Sequence, residues 1–527
     1  MARALKGVKP ITNRFKESLL DKNSFTVTWE LVPGRGAHEK AQANAIEAAK
    51  EAASEGRIHA LTITDNPGGK PALSAVGLGM EILQLGIEPL VHFTCKDKNR
   101  NQIEAELYAM DRAGVRNALV MTGDYPTGGF MGQAKPVFDL DSVQAMDLIA
   151  RMNQGLETSE GAALNRLKPS EFFAGSVVSP FKATESELMT QYFKLEKKIA
   201  AGAGFIVTQL GFDARKFHEV LQYVKTIDAD MPVIGNIYIL PFGAARIMHA
   251  NQLPGCVVTD KLLAQIDRER NEKDKGMSAR LLRAAKMYAI MKGMGFDGIH
   301  VGGHNIKYEQ VRYILEQGEQ LSREWTSLIA EFDFPQPDGF YYYQRDFQTG
   351  LNTNQPSDRA GRQPELSPGI NYRMMRFLHH WFFTPGKNLF PLMQRYYQGN
   401  RNPAKYPLEH ALKVVGNSCR DCGDCALLDL AYLCPMSQCP KNQRNGPCGG
   451  SQAGWCEVFP GKKKCIWSKA YTFLKANNEE AQLQARYIPP VNWELSQTSA
   501  WYNYYTGRDH TAAKTRYPAK EKAGEVN

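Results

Sequence analysis

Eight of the ten cysteines in this 527-residue chain lie between positions 419 and 465. Three of them follow one another at C-x2-C-x2-C spacing, and a Cys-Pro pair comes after a further gap of eight residues. Thiolates at such spacing are ligands for iron–sulfur clusters and for zinc. We therefore predict that this segment binds metal through Cys419, Cys422, Cys425, Cys434, Cys439, Cys448, Cys456 and Cys465.

The sequence leaves two metals open. Eight thiolates would hold two [4Fe–4S] clusters at four each, or two tetrahedral zinc ions. The C-x2-C-x2-C motif favours iron–sulfur clusters, because three ligands on one short loop can bind three irons of a cubane-shaped [4Fe–4S] cluster. Zinc sites more often use paired C-x2-C motifs. Disulfides or unliganded thiols are a weaker third alternative, since a cytoplasmic chain keeps its thiols reduced. The isolated Cys95 and Cys256 are expected to be small buried hydrophobic residues.

Polar residues also end several short apolar runs in the first 325 positions. If those runs are parallel barrel strands, their carboxyl ends meet on the face where barrel active sites form. Carboxylates at two of these ends suggest acid/base chemistry, although each residue alone could be a helix cap. Neither an H-E-x-x-H metal motif nor a serine nucleophile elbow is present. The candidate residues are Glu30, Thr64, His92, Thr94, Asp124, Gln209 and His300.

The elements that must position these residues alternate regularly. Short runs rich in β-branched and aromatic residues alternate with longer Ala-, Glu-, Lys- and Leu-rich stretches, which is typical of strands followed by helices. Eight such repeats predict a (β/α)8 TIM barrel; a doubly wound open sheet is the alternative, but no complete G-x-G-x-x-G follows the first strand. The predicted strands are 25–31, 58–64, 88–95, 116–124, 172–178, 205–213, 232–240 and 298–303.

Beyond the barrel the composition changes. A stretch dense in Pro, Gly and polar residues predicts a linker or wrapping segment, and aromatic residues return with the cysteines in a smaller metal-binding domain. We assign the barrel to 1–330, the linker to 331–370, the cysteine-rich domain to 371–490 and a polar tail to 491–527.

Bulk composition indicates an ordinary folded protein. Hydrophobic residues make up 43% and charged residues 23% of the chain. No apolar run reaches the roughly 18 residues of a membrane span, and the N-terminus lacks the apolar stretch of a secretory signal, so a cytoplasmic location is expected. The net charge of +9 is interpreted as solvated surface rather than a nucleic-acid site. A homo-oligomer is expected.

Several motifs together resemble those of the methylenetetrahydrofolate reductase family. They are "WELVPGR", "LTITDNPG", "HFTCKD", "MTGDYP", "AGAGFIVTQLGFD" and "GFDGIHVGG", in that order over about residues 20–325. The resemblance implies a flavin-carrying barrel, with FAD or FMN, that interconverts 5,10-methylenetetrahydrofolate and 5-methyltetrahydrofolate. The cysteine segment is similar to a small iron–sulfur protein that accompanies some of these reductases.

The resemblance also implies roles for individual residues. Glu30 looks like the acid that protonates folate N10, and a partly apolar mouth is expected to raise its pKa. Asp124 resembles the aspartate near the flavin and the pterin, and Gln209 the glutamine that binds the pterin. Where the family often has an arginine, this chain has Thr122. The residues implied to contact the flavin are Thr64, His92, Gly123, Asp124 and Lys198.

The implied electron sources are NAD(P)H, binding in the same cleft, or a ferredoxin-like carrier that acts through the clusters, with an electron-transfer protein as partner. Two other functions stay open. A folate-linked methyltransferase or demethylase on the same barrel would hold no tightly bound flavin. A zinc-ribbon binding protein would hold neither iron nor sulfide.

Overall fold

Eight parallel strands close into a barrel in the order β1-β10-β9-β8-β7-β4-β3-β2. The computed structural model describes residues 13–160, 163–358, 366–399 and 402–512. Each barrel strand overlaps one of the eight predicted runs, so the predicted (β/α)8 barrel is confirmed. The strands of the described chain are Thr26–Leu31 (β1), Ala60–Ile63 (β2), Glu88–Thr94 (β3), Asn117–Met121 (β4), Glu157–Glu160 (β5), Ala163–Arg166 (β6), Phe173–Val178 (β7), Ile206–Thr208 (β8), Val233–Tyr238 (β9), Gly298–Gly302 (β10), Tyr343–Arg345 (β11) and Asn352–Pro356 (β12).

Helices follow the strands around the barrel, and local signals set their ends. The helix after β3, for example, starts where the Asn99 side chain accepts from the Gln102 amide, and it ends at Gly114, whose φ is 83°. The helices are Arg14–Leu20 (α1), Lys40–Glu55 (α2), Ala75–Gln84 (α3), Arg100–Ala113 (α4), Ser142–Gln154 (α5), Glu185–Ala200 (α6), Ala214–Ile227 (α7), Phe242–His249 (α8), Asp260–Glu269 (α9), Met277–Met294 (α10), Tyr308–Leu321 (α11), Trp325–Leu328 (α12), Ile370–Phe382 (α13), Phe390–Gln398 (α14), Pro407–Asn417 (α15), Pro435–Gln438 (α16), Ile466–Lys475 (α17), Gln482–Ala485 (α18) and Ala500–Tyr505 (α19).

Helix α1 closes the amino-terminal end of the barrel. Phe15 is fully buried there, with its ring centroid 5.9 Å from that of Phe173 and 5.2 Å from that of Phe205. Burial of one such side chain contributes about 2 kcal/mol to stability. With this end plugged by a small apolar cluster, the carboxyl ends of the strands form the mouth.

Residues 333–358 pack against the outside of the barrel. Strands β11 and β12 pair there as an antiparallel hairpin. Arg215 of α7 donates from Nε to Asn352 Oδ1 at 2.7 Å, and Lys216 donates to the Phe340 carbonyl at 2.7 Å. The hairpin therefore wraps the barrel; positions 359–365 of the predicted linker lie outside the described residues.

The cysteine-rich domain sits on one side of the mouth. Helix α17 packs on α6, and Trp493 donates from Nε1 to Asp139 Oδ1 at 2.8 Å. Residues 491–512, assigned from sequence to a polar tail, run back over the cysteine segment, where Asn503 donates to the Gly423 carbonyl at 2.9 Å. Positions 513–527 are not among the described residues.

None of the helices in the described ranges combines the length and the hydrophobicity needed to cross a lipid bilayer.

Candidate functional site

Glu30 and His300 meet at the mouth of the barrel, on neighbouring strands. Glu30 Oε2 lies 3.7 Å from His300 Nε2. The parallel register of β1 and β10 pairs Thr28 with His300, so the next inward position beside Glu30 is Gly302. A Cβ there would lie 3.4 Å from Glu30 Oε1 and 3.3 Å from Tyr238. Because Gly302 has no side chain, the space beside the Glu30 carboxylate stays open.

Thr28 fixes the orientation and the tautomer of His300. Its hydroxyl donates to the Ile299 carbonyl at 3.3 Å, so the oxygen is left to accept from His300 Nδ1, 3.0 Å away. A proton on Nδ1 leaves Nε2 facing Glu30. Glu30 and His300 therefore form a candidate acid/base pair at the mouth.

The pKa of Glu30 is lowered, which corrects the expectation that the mouth would raise it. Burial alone raises the pKa of this carboxyl group, but the hydrogen bond and charge of His300, with a smaller contribution from His92, outweigh burial. The sequence expectation considered only the apolar surroundings. In the structure the pKa of Glu30 depends on its neighbour His300 as well as on burial.

His92 lines the same mouth as a neutral ring. Its centroid lies 6.2 Å from that of His300. Burial lowers the pKa of His92 to about 4, although the nearby Glu30 acts in the opposite direction. His92 Nε2, Thr64 Oγ1 and Asn236 Oδ1 are buried and have no hydrogen-bond partner among the described residues. Buried polar atoms are nearly always satisfied, so these three atoms point to a polar ligand at the mouth.

Tyr238 and Thr28 belong to this site and were not among the sequence candidates. Burial, followed by the charge of Glu30, raises the pKa of Tyr238 to about 12. Side chains two apart on a strand share a face. Thr28 precedes Glu30 by two positions, and Asn236 precedes Tyr238 by two. This two-residue spacing is the sequence signal that could have identified Thr28 and Tyr238 as site residues.

Asp124, Gly123 and Gln209 lie along the other side of the rim. Asp124 is exposed, and its Oδ2 accepts from the Gly68 amide at 2.7 Å, which holds the loop after β2. Gly123 has a φ of 84°, a conformation that favours glycine, and its carbonyl accepts from Lys441 Nζ at 2.7 Å. Gln209 Oε1 accepts from the adjacent Leu210 amide at 2.8 Å.

Lys198 is one of three buried lysines on α6. Its Nζ donates to the Val177 carbonyl at 2.6 Å, and burial lowers its pKa well below the ordinary value. Lys194 Nζ donates to Gln443 Oε1 at 2.8 Å and to the carbonyls of Gly446 and Pro447.

Two further contacts belong to the same interface. Lys197 Nζ lies 5.8 Å from the Trp467 ring centroid, and burial lowers the pKa of Lys197 to about 7. Thr122 donates to Gln443 Oε1 at 3.0 Å. Lys194 and Lys197 of α6 are therefore covered by the cysteine-rich domain.

The eight clustered cysteines fall into two groups of four. The first cysteine set lines one cavity, beside Lys413 of α15. The second lines a separate cavity, beside Lys441, close to the rim. Across the described ranges, no three His, Cys, Asp or Glu side chains converge closely enough to hold a single metal ion. The first set is Cys419, Cys422, Cys425 and Cys434, and the second is Cys439, Cys448, Cys456 and Cys465.

Cys95 and Cys256 are buried in the barrel core, as predicted. Burial raises the pKa of each thiol to about 12. Neither belongs to a cysteine set.

Two family models match the chain. A model described as "Methylenetetrahydrofolate reductase" matches residues 15–318, and one described as "Methylene-tetrahydrofolate reductase C terminal" matches residues 399–494. The first covers the barrel and its mouth. The second covers both cysteine sets.

Curated relatives carry related names. "Methylenetetrahydrofolate reductase 2" of Schizosaccharomyces pombe is 23% identical over 47% of this chain and 38% of its own length. "Probable methylenetetrahydrofolate reductase (NADPH)" of Caenorhabditis elegans is 25% identical over 36% of this chain and 26% of its own. The matches thus span well under half of these relatives. An uncharacterized Clostridium thermocellum protein, described as binding two copies of 5-methyl-5,6,7,8-tetrahydrofolic acid, has a TM-score of 0.39 and 11% identity, covering 59% of this chain and 99% of its own.

Proposed function

Because the chain belongs to the methylenetetrahydrofolate reductase family, we propose that it reduces 5,10-methylenetetrahydrofolate to 5-methyltetrahydrofolate at the barrel mouth, reversibly. The observation that carries this proposal is the Glu30–His300 pair at the strand ends, with Oε2 and Nε2 3.7 Å apart. Opening the methylene bridge needs a proton at N10, since the resulting electrophilic C=N is what accepts hydride. Glu30 is the proposed general acid.

His300 keeps that acid supplied. Because the pKa of Glu30 is lowered in the free site, we propose that His300 Nε2, 3.7 Å away, passes a proton to Glu30 as N10 is protonated. Thr28 holds the imidazole in the orientation that this transfer needs. Asp124 and Gln209 are proposed to bind the pterin from the other side of the rim, with Asp124 near the cofactor as well.

A flavin, when bound, would supply the hydride. The residues present suit a flavin, because His92 Nε2 and Thr64 Oγ1 are buried donors or acceptors in need of a partner at the mouth. Gly123 is proposed to contact the flavin through its backbone. Lys198 is proposed to contact the cofactor phosphate, which would replace the Val177 carbonyl as the acceptor of its hydrogen bond. Extraction of the bound flavin would identify it as FAD or FMN.

The two cysteine sets are proposed to hold two [4Fe–4S] clusters. Four thiols around one cavity match the four ligands of a cubane. Lys194 and Lys441 are buried close to the second set. A cluster held by four thiolates is anionic, so these lysines would offset its negative charge. Electrons would come from NAD(P)H in the cleft or from a ferredoxin-like carrier by way of the clusters.

The test is purification without oxygen, followed by flavin extraction, iron and sulfide analysis, and assay with 5,10-methylenetetrahydrofolate. Bound flavin, about eight iron and eight sulfide per chain, and formation of 5-methyltetrahydrofolate are expected. Rapid flavin bleaching by NADH alone would make NADH the donor. A protein without flavin would instead fit a methyltransferase, and zinc without sulfide would contradict the cluster proposal.

A further inference from the structure

Two helices of the cysteine-rich domain expose an apolar surface. Ile370 is 87% and Val415 89% exposed, and their helices approach each other next to these residues, where Asn371 Nδ2 donates to the Gly416 carbonyl at 3.3 Å. Other exposed apolar residues recur at helical spacing along α13 and α15. The apolar patch comprises Ile370, Met374, Phe377, Leu408, Leu412 and Val415.

Helix α15 links this patch to the first cysteine set. Its residues Glu409, Lys413 and Asn417, four apart, line the cavity that holds the first set. Leu408, Leu412 and Val415 occupy a different face of the same helix and are exposed. A protein seated on the patch would be separated from the first set by about one helix diameter, roughly 10 Å.

Basic residues predominate in the segment that carries the patch, and we call the exposed Arg373, Lys405 and Arg420 its basic rim. Between residues 370 and 420 the chain has eight lysines and arginines and a single acidic residue, Glu409. Glu409 is buried and paired with Lys413 at 2.6 Å. Arg373, Lys405 and Arg420 are exposed, and none of them forms an ion pair with another described residue. Such a surface attracts an acidic partner and speeds its association.

We infer that the apolar patch and its basic rim form the docking site for an acidic electron-carrier protein. This inference rests on the proposed function, since it places electron entry at the first cysteine set. Reduction of one methylene group consumes two electrons and two protons. A one-electron carrier must therefore dock, become oxidised by one electron and leave twice per turnover, which suits a small, charge-steered interface.

Other occupants fit less well. In a symmetric dimer formed through this patch, the two basic rims would face each other, and like charges repel. Nucleic acid would match the charge but would leave the six apolar side chains without an apolar partner. An acidic protein satisfies both features.

The test uses the anaerobically purified full chain and a fluorescently labelled, oxidised, acidic [4Fe–4S] ferredoxin as the probe. Dissociation constants are measured by anisotropy over a series of salt concentrations. The variants are Leu412→Glu with Val415→Glu, and Arg373→Glu with Lys405→Glu. The control is Phe347→Glu, which changes an 89% exposed residue of the β11–β12 hairpin.

We expect binding that weakens with salt, at least a tenfold loss in both patch variants, and no change in the control. Each variant must keep the iron content of the unaltered chain. Equal binding by all proteins would overturn the inference, as would a dimer that only the Leu412→Glu, Val415→Glu variant dissociates. A chain free of iron and sulfide would refute the cluster proposal separately, because ferredoxin binding is measured independently.

Discussion

Glu30 and His300 face each other across the seam where the first and last strands of the barrel pair, with Oε2 and Nε2 3.7 Å apart. The two residues are 270 positions apart in sequence, and strand register brings them together. Their proximity at the mouth leads to the first predictions.

Glu30→Gln should abolish most reduction of 5,10-methylenetetrahydrofolate. The amide occupies the same space but cannot donate a proton to N10, and loss of a general acid costs about 10²- to 10⁴-fold in rate. Flavin content, and its reduction by the electron donor, should stay unchanged. Single-turnover measurement of the two half-reactions separates these effects, and an equal loss in both would argue against the assigned role.

Thr28→Val should lower the rate of the folate half-reaction by about tenfold. The valine cannot accept from His300 Nδ1, and an unsatisfied buried donor costs about 1–3 kcal/mol, so His300 is held less firmly beside Glu30. Thr28→Ser keeps the hydroxyl and should restore the rate. An unchanged rate in the valine variant would show that Thr28 does not position His300.

His92 should make the protein less stable as the pH falls below neutrality. Its folded pKa of about 4 lies below the unfolded value of about 6.5, so the unfolded chain binds a proton that the folded chain does not. The stability lost between pH 7 and pH 5 is about 2 kcal/mol from this group, most of it below pH 6.5. Thermal unfolding at both pH values should show a smaller difference in His92→Gln. An unchanged difference would contradict the assignment.

Substitution within one cysteine set should remove one cluster and spare the other. Cys425→Ser and Cys448→Ser lie in separate cavities, so each should lower the iron content from about eight to about four per chain. Cys256→Ser, in the barrel core, is the matched control and should keep all the iron. Complete loss of iron from either single variant would show that the two sets depend on each other.

The barrel was predictable because its strands are buried on both faces, so each appears in the sequence as a short apolar run. The hairpin β5–β6 was not predicted, since its strands, such as "ETSE", carry no apolar run. Glu30 was identified through a motif. The sign of its pKa shift depends on His300, whose distance no local pattern encodes.

The division of the cysteines illustrates the same limit. Their number and spacing predicted metal ligands, but spacing alone does not say which four share a cavity. Contacts such as Lys194 with Gln443, 249 positions apart, arise only when the two domains pack. Sequence periodicity reports local burial, and it carries no information about such distant partners.

The buried lysines of α6 affect whether the barrel can be separated from the cysteine-rich domain. A fragment ending at residue 330 would lose the acceptors of Lys194 and uncover Glu185, which pairs with Lys475. Charged side chains that are buried between the barrel and the cysteine-rich domain would lose their partners if either domain were produced alone. Neither half can then be exchanged for an unrelated counterpart, and mutations on one side of the seam constrain those accepted on the other.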